Sequence, residues 1–277
     1  MSNKRILTVQ DISCVGQGSL TVALPIISAC GIETCVLPSA VLSTHTGGFK
    51  GFTFRDLTDD IPLIVKHWQS EDIKFDAFYT GYLGSAEQIA HVINIFNSVA
   101  ADGALRIVDP AMADNGVLYA GFPQDFPKEM LKLCVVADYI IPNITEACLM
   151  TDVEFKTEYD EAYIKNLIGA LVDKGAKNII LTGVSYTPDT TGVVVFENGE
   201  YSYYSHKKLP TGSHGTGDVY ASVFAGAMMR GKSAVDAARI AADFTFETIE
   251  FTQQSYPEHW YGVCFEPLLH KLEGLLR

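Results

Sequence analysis

At 277 residues, with 48% hydrophobic and 19% charged side chains, the chain has apolar material for a sizeable core and is unlike a disordered sequence. A formal net charge of -13 with no Lys/Arg cluster argues against a nucleic-acid partner, because counterion release needs clustered positive charge. No apolar run approaches the roughly 18 residues needed to span a membrane, and the basic start has too short an apolar stretch for a signal peptide, so a cytoplasmic protein with no membrane partner is expected.

In chain order, Ile6 to Val9 is a short apolar run that predicts a buried strand ending at Gln10-Asp11. Ser19 is placed to cap a helix that stops at Gly31. Glu33 to Leu37 predicts a second strand, Ser43 to Gly48 a polar connection, and Phe49 to Phe54 a strand with aromatics. A helix from about Asp59 to Gln69 precedes the strand Ala77 to Thr80, and Ser85 opens a helix running to Ala101. Arg106 to Val108 is the next strand and closes in Asp109-Pro110.

Residues 111 to 125 carry little periodicity and read as one long loop, a candidate lid with hinges at Gly116 and Gly121 and an apolar tip at Val117, Leu118 and Tyr119. A helix near Pro127 to Val136 leads to the strand Asp138 to Ile141, and Asn143-Ile144-Thr145-Glu146 is a capping box. A helix over Glu161 to Lys174 and the strand Asn178 to Leu181 follow, the latter ending in Thr182-Gly183. Gly192 to Phe196 and Glu200 to Tyr204, joined by Asn198-Gly199, predict a small β-hairpin. Helices after Asp218, Ser233 and Pro267 complete the chain.

Strands and helices alternating in this way predict an α/β fold, a single domain over residues 1–277 with a mostly parallel sheet covered by helices on both faces. Ligands of such sheets bind beyond the carboxyl ends of the strands. Gln10-Asp11, Thr80-Gly81-Tyr82, Asp109-Pro110, Pro142-Asn143 and Thr182-Gly183 all fall there.

The stretch Leu209-Pro210-Thr211-Gly212-Ser213-His214-Gly215-Thr216-Gly217-Asp218 is the candidate for the chemistry, a glycine-rich turn with a capping Asp being the plainer reading. Its glycines permit close approach to the main chain, and it enters a small apolar helix whose first-turn N–H groups and dipole attract anions, phosphate above all. Asp218 beside that anion hole could take a proton from an incoming hydroxyl, which suggests phosphoryl transfer. Asp109 and Glu146, facing one rim, could hold a magnesium ion directly or through water; a turn-forming Asp and a capping Glu are the plainer readings. Tyr82 beside two glycines could stack on a flat ring, and His45 and Thr46 could hydrogen-bond a polar substrate. The six cysteines form no CxxC pair and read as free thiols; Cys14 has no identifiable base nearby. GxxxxGK[ST] and the protein-kinase motifs are missing.

Gly215-Thr216-Gly217-Asp218, Val108-Asp109-Pro110 and Pro142-Asn143-Ile144-Thr145-Glu146 resemble the GTGD, DP and PNxxE motifs of the ribokinase-like superfamily, in the same order. With Gln10-Asp11, Thr44-His45-Thr46 and Thr80-Gly81-Tyr82-Leu83, the chain is similar to the pyridoxal kinase family over nearly its whole length. The resemblance implies ATP-dependent phosphorylation of the 5′-hydroxyl of a B6 vitamer, with Asp218 as general base and Gly215, Thr216 and Gly217 as anion hole. It implies an ATP side of Asp109, Asn143, Glu146 and Thr182, and metal binding at Asp109 and Glu146. Asp11, Ser13, Thr46 and Tyr82 fall where the vitamin ring binds. ATP, Mg2+, a monovalent cation such as K+ and a homodimer are implied likewise.

The sequence departs from the family's pattern at Asp11, where a Ser is common, at Thr44, where an Asn is common, and near Thr182, where a Lys is missing. A hydroxymethylpyrimidine kinase is the nearest alternative on the same fold. A catalytically silent metabolite-binding module is another, although it would have no chemical need for Asp218.

Overall fold

The computed structural model describes residues 4–209 and 214–277. Its elements are β1 Arg5–Ser13, α1 Leu20–Ala29, β2 Glu33–Leu42, β3 Phe54–Asp56, α2 Asp60–Ser70, β4 Phe75–Thr80, α3 Ala86–Ser98 and β5 Ala100–Val108. They continue with β6 Ala113–Asp114, β7 Val117–Leu118, α4 Phe126–Cys134, β8 Tyr139–Ile140, α5 Ile144–Thr151, α6 Glu161–Asp173 and β9 Asn178–Val184. Then come β10 Thr190–Glu197, β11 Glu200–Lys207, α7 Thr216–Met229, α8 Ala234–Ser255, a 3-10 turn Glu266–Leu268 and α9 His270–Leu275.

The main sheet runs β11-β10-β9-β8-β5-β4-β1-β2-β3. From β2 through β9 every pairing is parallel. The antiparallel pairings lie toward the edges, where β3 joins β2 and the hairpin β10–β11 joins β9. Because adjacent strand residues point to opposite faces, Leu7 and Phe78 enter one core while Ile6 and Tyr79 enter the other. Helices α2 to α6 cover the first face and α1, α7, α8 and α9 the second. This is the α/β architecture expected, and the central strands read as continuous apolar runs because both faces are buried.

Three expectations are corrected. The first strand does not stop at Val9 but continues through Gln10 and Asp11 to Ser13, past a register shift between Gln10 and Ile12. Residues 49 to 53 are not strand: Gly48 and Gly51 hold φ of 84° and 68°, and only Phe54–Asp56 pairs. The long loop contains a second hairpin, β6–β7, closed by Asn115 and Gly116 at φ 51° and 76°, a pair suited to a tight two-residue turn.

That hairpin is pinned to α5. The Gly116 N–H donates to Thr145 Oγ1 at 2.9 Å and a Cβ on Gly116 would meet the Phe155 ring at 2.9 Å, so Gly116 is no hinge here. Gly121, at φ 101° in open space, retains that freedom. The predicted hairpin at Asn198-Gly199 is present as β10–β11. Among the described residues no helix is long and apolar enough to cross a membrane.

Candidate active site

The irregular end of β1 forms one side of a rim. Against β2 the register shifts between Gln10 and Ile12, where residues 39 and 40 of β2 stand opposite the single Asp11. Asp11 and Ser13, 5% and 1% exposed and two residues apart, lie on one side of the strand. The Ser13 hydroxyl donates to Asp11 Oδ2 at 3.1 Å. Burial lifts the Asp11 carboxyl above its ordinary range, opposed by hydrogen bonds from Ser19 and Ser13. Tyr82, just past β4, is half-buried and lies 5.4 Å ring to ring from Phe122. Burial raises its phenol and the Asp11 charge adds to that, so Tyr82 belongs to the same rim.

Thr46 is exposed on the connection that follows β2. Its neighbour His45 spends both ring nitrogens on the protein. The Gly47 N–H donates to Nδ1 at 3.0 Å, which leaves the proton on Nε2, and Nε2 donates to the Tyr261 carbonyl at 2.6 Å. The expectation that His45 hydrogen-bonds a substrate gives way to this role between loops.

Opposite lies the N-terminus of α7. Pro210, Thr211, Gly212 and Ser213 of the glycine-rich stretch lie outside the described residues. Gly215 caps the helix at φ 76°, and a Cβ there would run into the Gln17 carbonyl oxygen. Gly217 faces open space, so its lack of a side chain leaves the main chain approachable rather than relieving a clash. Thr216 begins the helix, and the dipole of its 14 residues points its positive end at the rim.

Asp218, half-buried in the first turn, accepts the Ser19 N–H at Oδ2, 2.9 Å away. Burial pushes its carboxyl up to about 7; the Ser19 bond lowers it and the Asp11 charge raises it. A carboxyl titrating near neutrality suits a general base, which works best when its pKa is close to the working pH.

Asp109 and Glu146 form the third side. Asp109, 8% exposed, donates its N–H to the Thr80 carbonyl at 2.9 Å. Burial, then the charges of Glu146 and Asp218, hold its carboxyl well above the usual range. Glu146 is 3% exposed and closes a complete capping box: Asn143 Oδ1 accepts its N–H, and its Oε2 accepts the Asn143 N–H, both at 2.9 Å. Its Oε1 accepts the Met112 and Ala113 N–H groups at 3.1 and 3.5 Å. Burial raises this carboxyl despite those bonds.

Thus the capping reading of Glu146 holds, and its oxygens also fasten the β6–β7 hairpin. Asn143 Nδ2 reinforces this by donating to the Ala113 carbonyl at 2.8 Å. Thr182 bridges Asn143 across the strand ends, its N–H donating to the Pro142 carbonyl at 2.9 Å. Asp109, Asn143, Glu146 and Thr182 are therefore brought together. Asp109 links them electrostatically to Asp218.

The sequence reading missed the parts that hold these groups. Ser19 orients Asp218 through its main-chain N–H, which no side-chain motif reveals. Tyr79, fully buried on β4, feels the charges of both Asp109 and Asp218. The segment 256–265 reaches the rim from the far end of α8, a contact set by tertiary structure alone.

The chain matches a family model described as phosphomethylpyrimidine kinase over residues 27–263. A Bacteroides thetaiotaomicron structure described as a phosphomethylpyrimidine kinase, determined with pyridoxal, is 37% identical, covers 98% of this chain and 96% of its own, and superposes with a TM-score of 0.92. The pyridoxal kinase of Lactobacillus plantarum is 31% identical, covers 99% of this chain and 98% of its own, and gives a TM-score of 0.90. A pyridoxal kinase of Granulibacter bethesdensis is 27% identical over 79% of each chain. The chain belongs to the phosphomethylpyrimidine kinase family and stands with the pyridoxal kinases of the ribokinase-like superfamily.

Proposed function

We propose that the protein is a kinase that transfers the terminal phosphoryl group of ATP to the 5′-hydroxyl of a B6 vitamer, pyridoxal, pyridoxamine or pyridoxine. The observation that carries this reading is Asp218. A carboxyl raised to about 7 stands in the first turn of a glycine-capped helix, on one rim with Asp11 and Ser13. The relative determined with pyridoxal and the pyridoxal kinase relatives supply the substrate class.

In this reading the vitamin ring rests among Asp11, Ser13, Thr46 and Tyr82, with its hydroxymethyl group toward Asp218. Asp218, fixed by the Ser19 N–H, takes the hydroxyl proton as the oxygen attacks phosphorus. Gly215, Thr216 and Gly217 meet the transferring phosphate with main-chain N–H groups and the helix dipole, supplying the positioning and charge stabilisation on which phosphoryl transfer chiefly depends. Asp109, Asn143, Glu146 and Thr182 border the nucleotide.

The donor set fits magnesium. Two buried carboxyls repel each other at Asp109 and Glu146, and no ion pair to either occurs among the described residues. Among the described residues no group of three or more His, Cys, Asp and Glu could cage a metal by itself, so Asp109 and Glu146 would hold the ion, directly or through water, together with the nucleotide. When bound it neutralises phosphate charge. Magnesium dependence, a response to K+, a homodimer and a cytoplasmic location complete the reading.

A second reading, a hydroxymethylpyrimidine kinase, is favoured by the family model's description. Assaying the purified protein with ATP against the three vitamers and hydroxymethylpyrimidine separates the two. The proposal requires a vitamer to have the highest kcat/KM; preference for the pyrimidine would overturn it.

A further inference from the structure

His45 is the meeting point of segments far apart in sequence. Its main-chain N–H donates to the Val15 carbonyl at 3.3 Å, and a Cβ on Gly16 would strike its ring. Phe49 meets that ring edge-on at 5.1 Å and His214 lies 5.7 Å away. Through Nε2 the ring reaches the Tyr261 carbonyl. Next to this contact Trp260 packs 4.7 Å from Phe49, and a Cβ on Gly48 would meet the indole at 2.7 Å.

Gln17 makes a second link to the same segment. His259 Nε2 donates to Gln17 Oε1 at 3.0 Å, and Gln17 Nε2 donates to Glu266 Oε1 at 3.4 Å. A Cβ on Gly262 would collide with the Gln17 side chain, whereas the Gln17 carbonyl is the atom against which Gly215 is packed. The segment itself is held at both ends. The Tyr256 N–H donates to the Thr252 carbonyl at 2.8 Å, the Cys264 N–H to Thr252 Oγ1 at 2.8 Å, and Val263 and Phe265 are buried in the core.

We infer that residues 256–266 are a brace of the acceptor site. They fix the Ser43–Phe49 connection through His45 and the Cys14–Ser19 loop through Gln17, and so set where the acceptor hydroxyl stands relative to Asp218 and Gly215. His45 and Gln17 are positioning residues in this assignment, since their polar atoms face the protein rather than a ligand. The kinetic part rests on the function proposed above; the brace itself does not. Misplacing a reacting group by about an ångström costs up to about a hundredfold in rate, so the brace is a determinant of acceptor turnover and not of ATP binding.

The test uses the full chain with Trp68→Phe, which leaves Trp260 as the sole indole reporter. His45→Phe removes both ring hydrogen bonds, His45→Gln restores a donor at the Nε2 position, and Gly262→Ala presses on Gln17 from the opposite side. His259→Phe is the gentler counterpart should Gly262→Ala not fold. Trp260 is already 53% exposed, so the brace predicts that His45→Phe and Gly262→Ala each raise its iodide quenching constant above the wild-type value without any substrate.

Each is also expected to lower acceptor kcat/KM at least about tenfold, with the KM for ATP within about twofold of wild type. His45→Gln should recover part of the loss, and the double variant should lose less than the product of the two single losses, as residues coupled through one shared segment do. Unchanged quenching, or losses that multiply as independent effects, overturns the brace. An inactive wild-type protein overturns the proposed function alone, because quenching and the same cycle in melting temperature still decide the brace.

Discussion

Replacing Asp218 by Asn separates chemistry from stability because the two effects have opposite signs. Asn keeps the shape, and its Oδ1 can still accept the Ser19 N–H. It cannot take a proton, so turnover should fall by about 10² or more while ATP binding stays within a few-fold of wild type. For stability the sign follows from a carboxyl raised from 3.8 to about 7. A raised acid disfavours its charged form in the folded state, so ionised Asp218 destabilises the protein increasingly as pH climbs from its unfolded value toward 7. Below that unfolded value the cost vanishes.

The full shift corresponds to about 4 kcal/mol above pH 7, an upper bound that water near a half-buried carboxyl reduces to roughly 1–2 kcal/mol. At about 2–4 °C per kcal/mol for a chain of this size, Asp218→Asn should melt about 2–8 °C higher than wild type at pH 8. It should melt within about 1 °C of wild type at pH 4. Thermal scans of both proteins across this range, with coupled kinase assays at pH 8, provide the check. Turnover within a few-fold of wild type, or a variant less stable than wild type at pH 8, would refute the assignment of Asp218 as a buried base.

The wild-type enzyme should gain kcat/KM for the acceptor as pH rises through about 7, following ionisation of Asp218, and lose that inflection in Asp218→Asn; a flat wild-type profile counts against the base. Glu146→Gln should lower thermal stability by about 1 kcal/mol through the weakened cap and also raise the magnesium concentration needed for half-maximal activity. Asp109→Asn, which breaks no cap, should show the magnesium effect without loss of stability and, like Asp218→Asn, melt higher than wild type at high pH; an unmoved titration in both removes the metal role. Gly215→Ala should cost stability, since its φ is 76° and the Gln17 carbonyl blocks a Cβ, whereas Gly217→Ala should fold normally yet lose turnover; equal melting losses would contradict the distinction. Replacing exposed Val117 and Tyr119 of the hairpin by Ser, with Leu118 kept, should lower transfer and raise ATP hydrolysis without acceptor, as expected of a cover that excludes water. If that ratio does not change, the hairpin is not a lid.

The motifs to which the chemistry is assigned were legible because each is local. A strand followed by Asp-Pro, an Asn-x-x-Glu cap and glycines before a helix need only neighbouring residues to be recognised. The Asn198-Gly199 turn was legible for the same reason. The β6–β7 hairpin was not, since its strands are two residues long and are held by Glu146 and Thr145 rather than by an alternating apolar pattern. Nor was the course of β1 through Asp11, where the apolar run gives way to polar Gln10, Asp11 and Ser13 while the strand keeps pairing with β2 across a register shift. The capping and site roles of Glu146 looked like alternatives in the sequence. In the structure one carboxyl, shared between the α5 cap and the hairpin, is near enough to Asp109 to raise its carboxyl electrostatically. His45 drew attention as a substrate contact, and only the fold brings Tyr261, more than two hundred residues away, to its ring.

The central claim is tested most directly by incubating the purified protein with ATP, magnesium and pyridoxal and following pyridoxal 5′-phosphate by mass spectrometry, beside Asp218→Asn. The account predicts stoichiometric conversion of ATP and pyridoxal to ADP and the 5′-phosphate by wild type, and at least about a hundredfold slower formation by the variant. Absence of the 5′-phosphate with every vitamer, or equal rates in the two proteins, would contradict it.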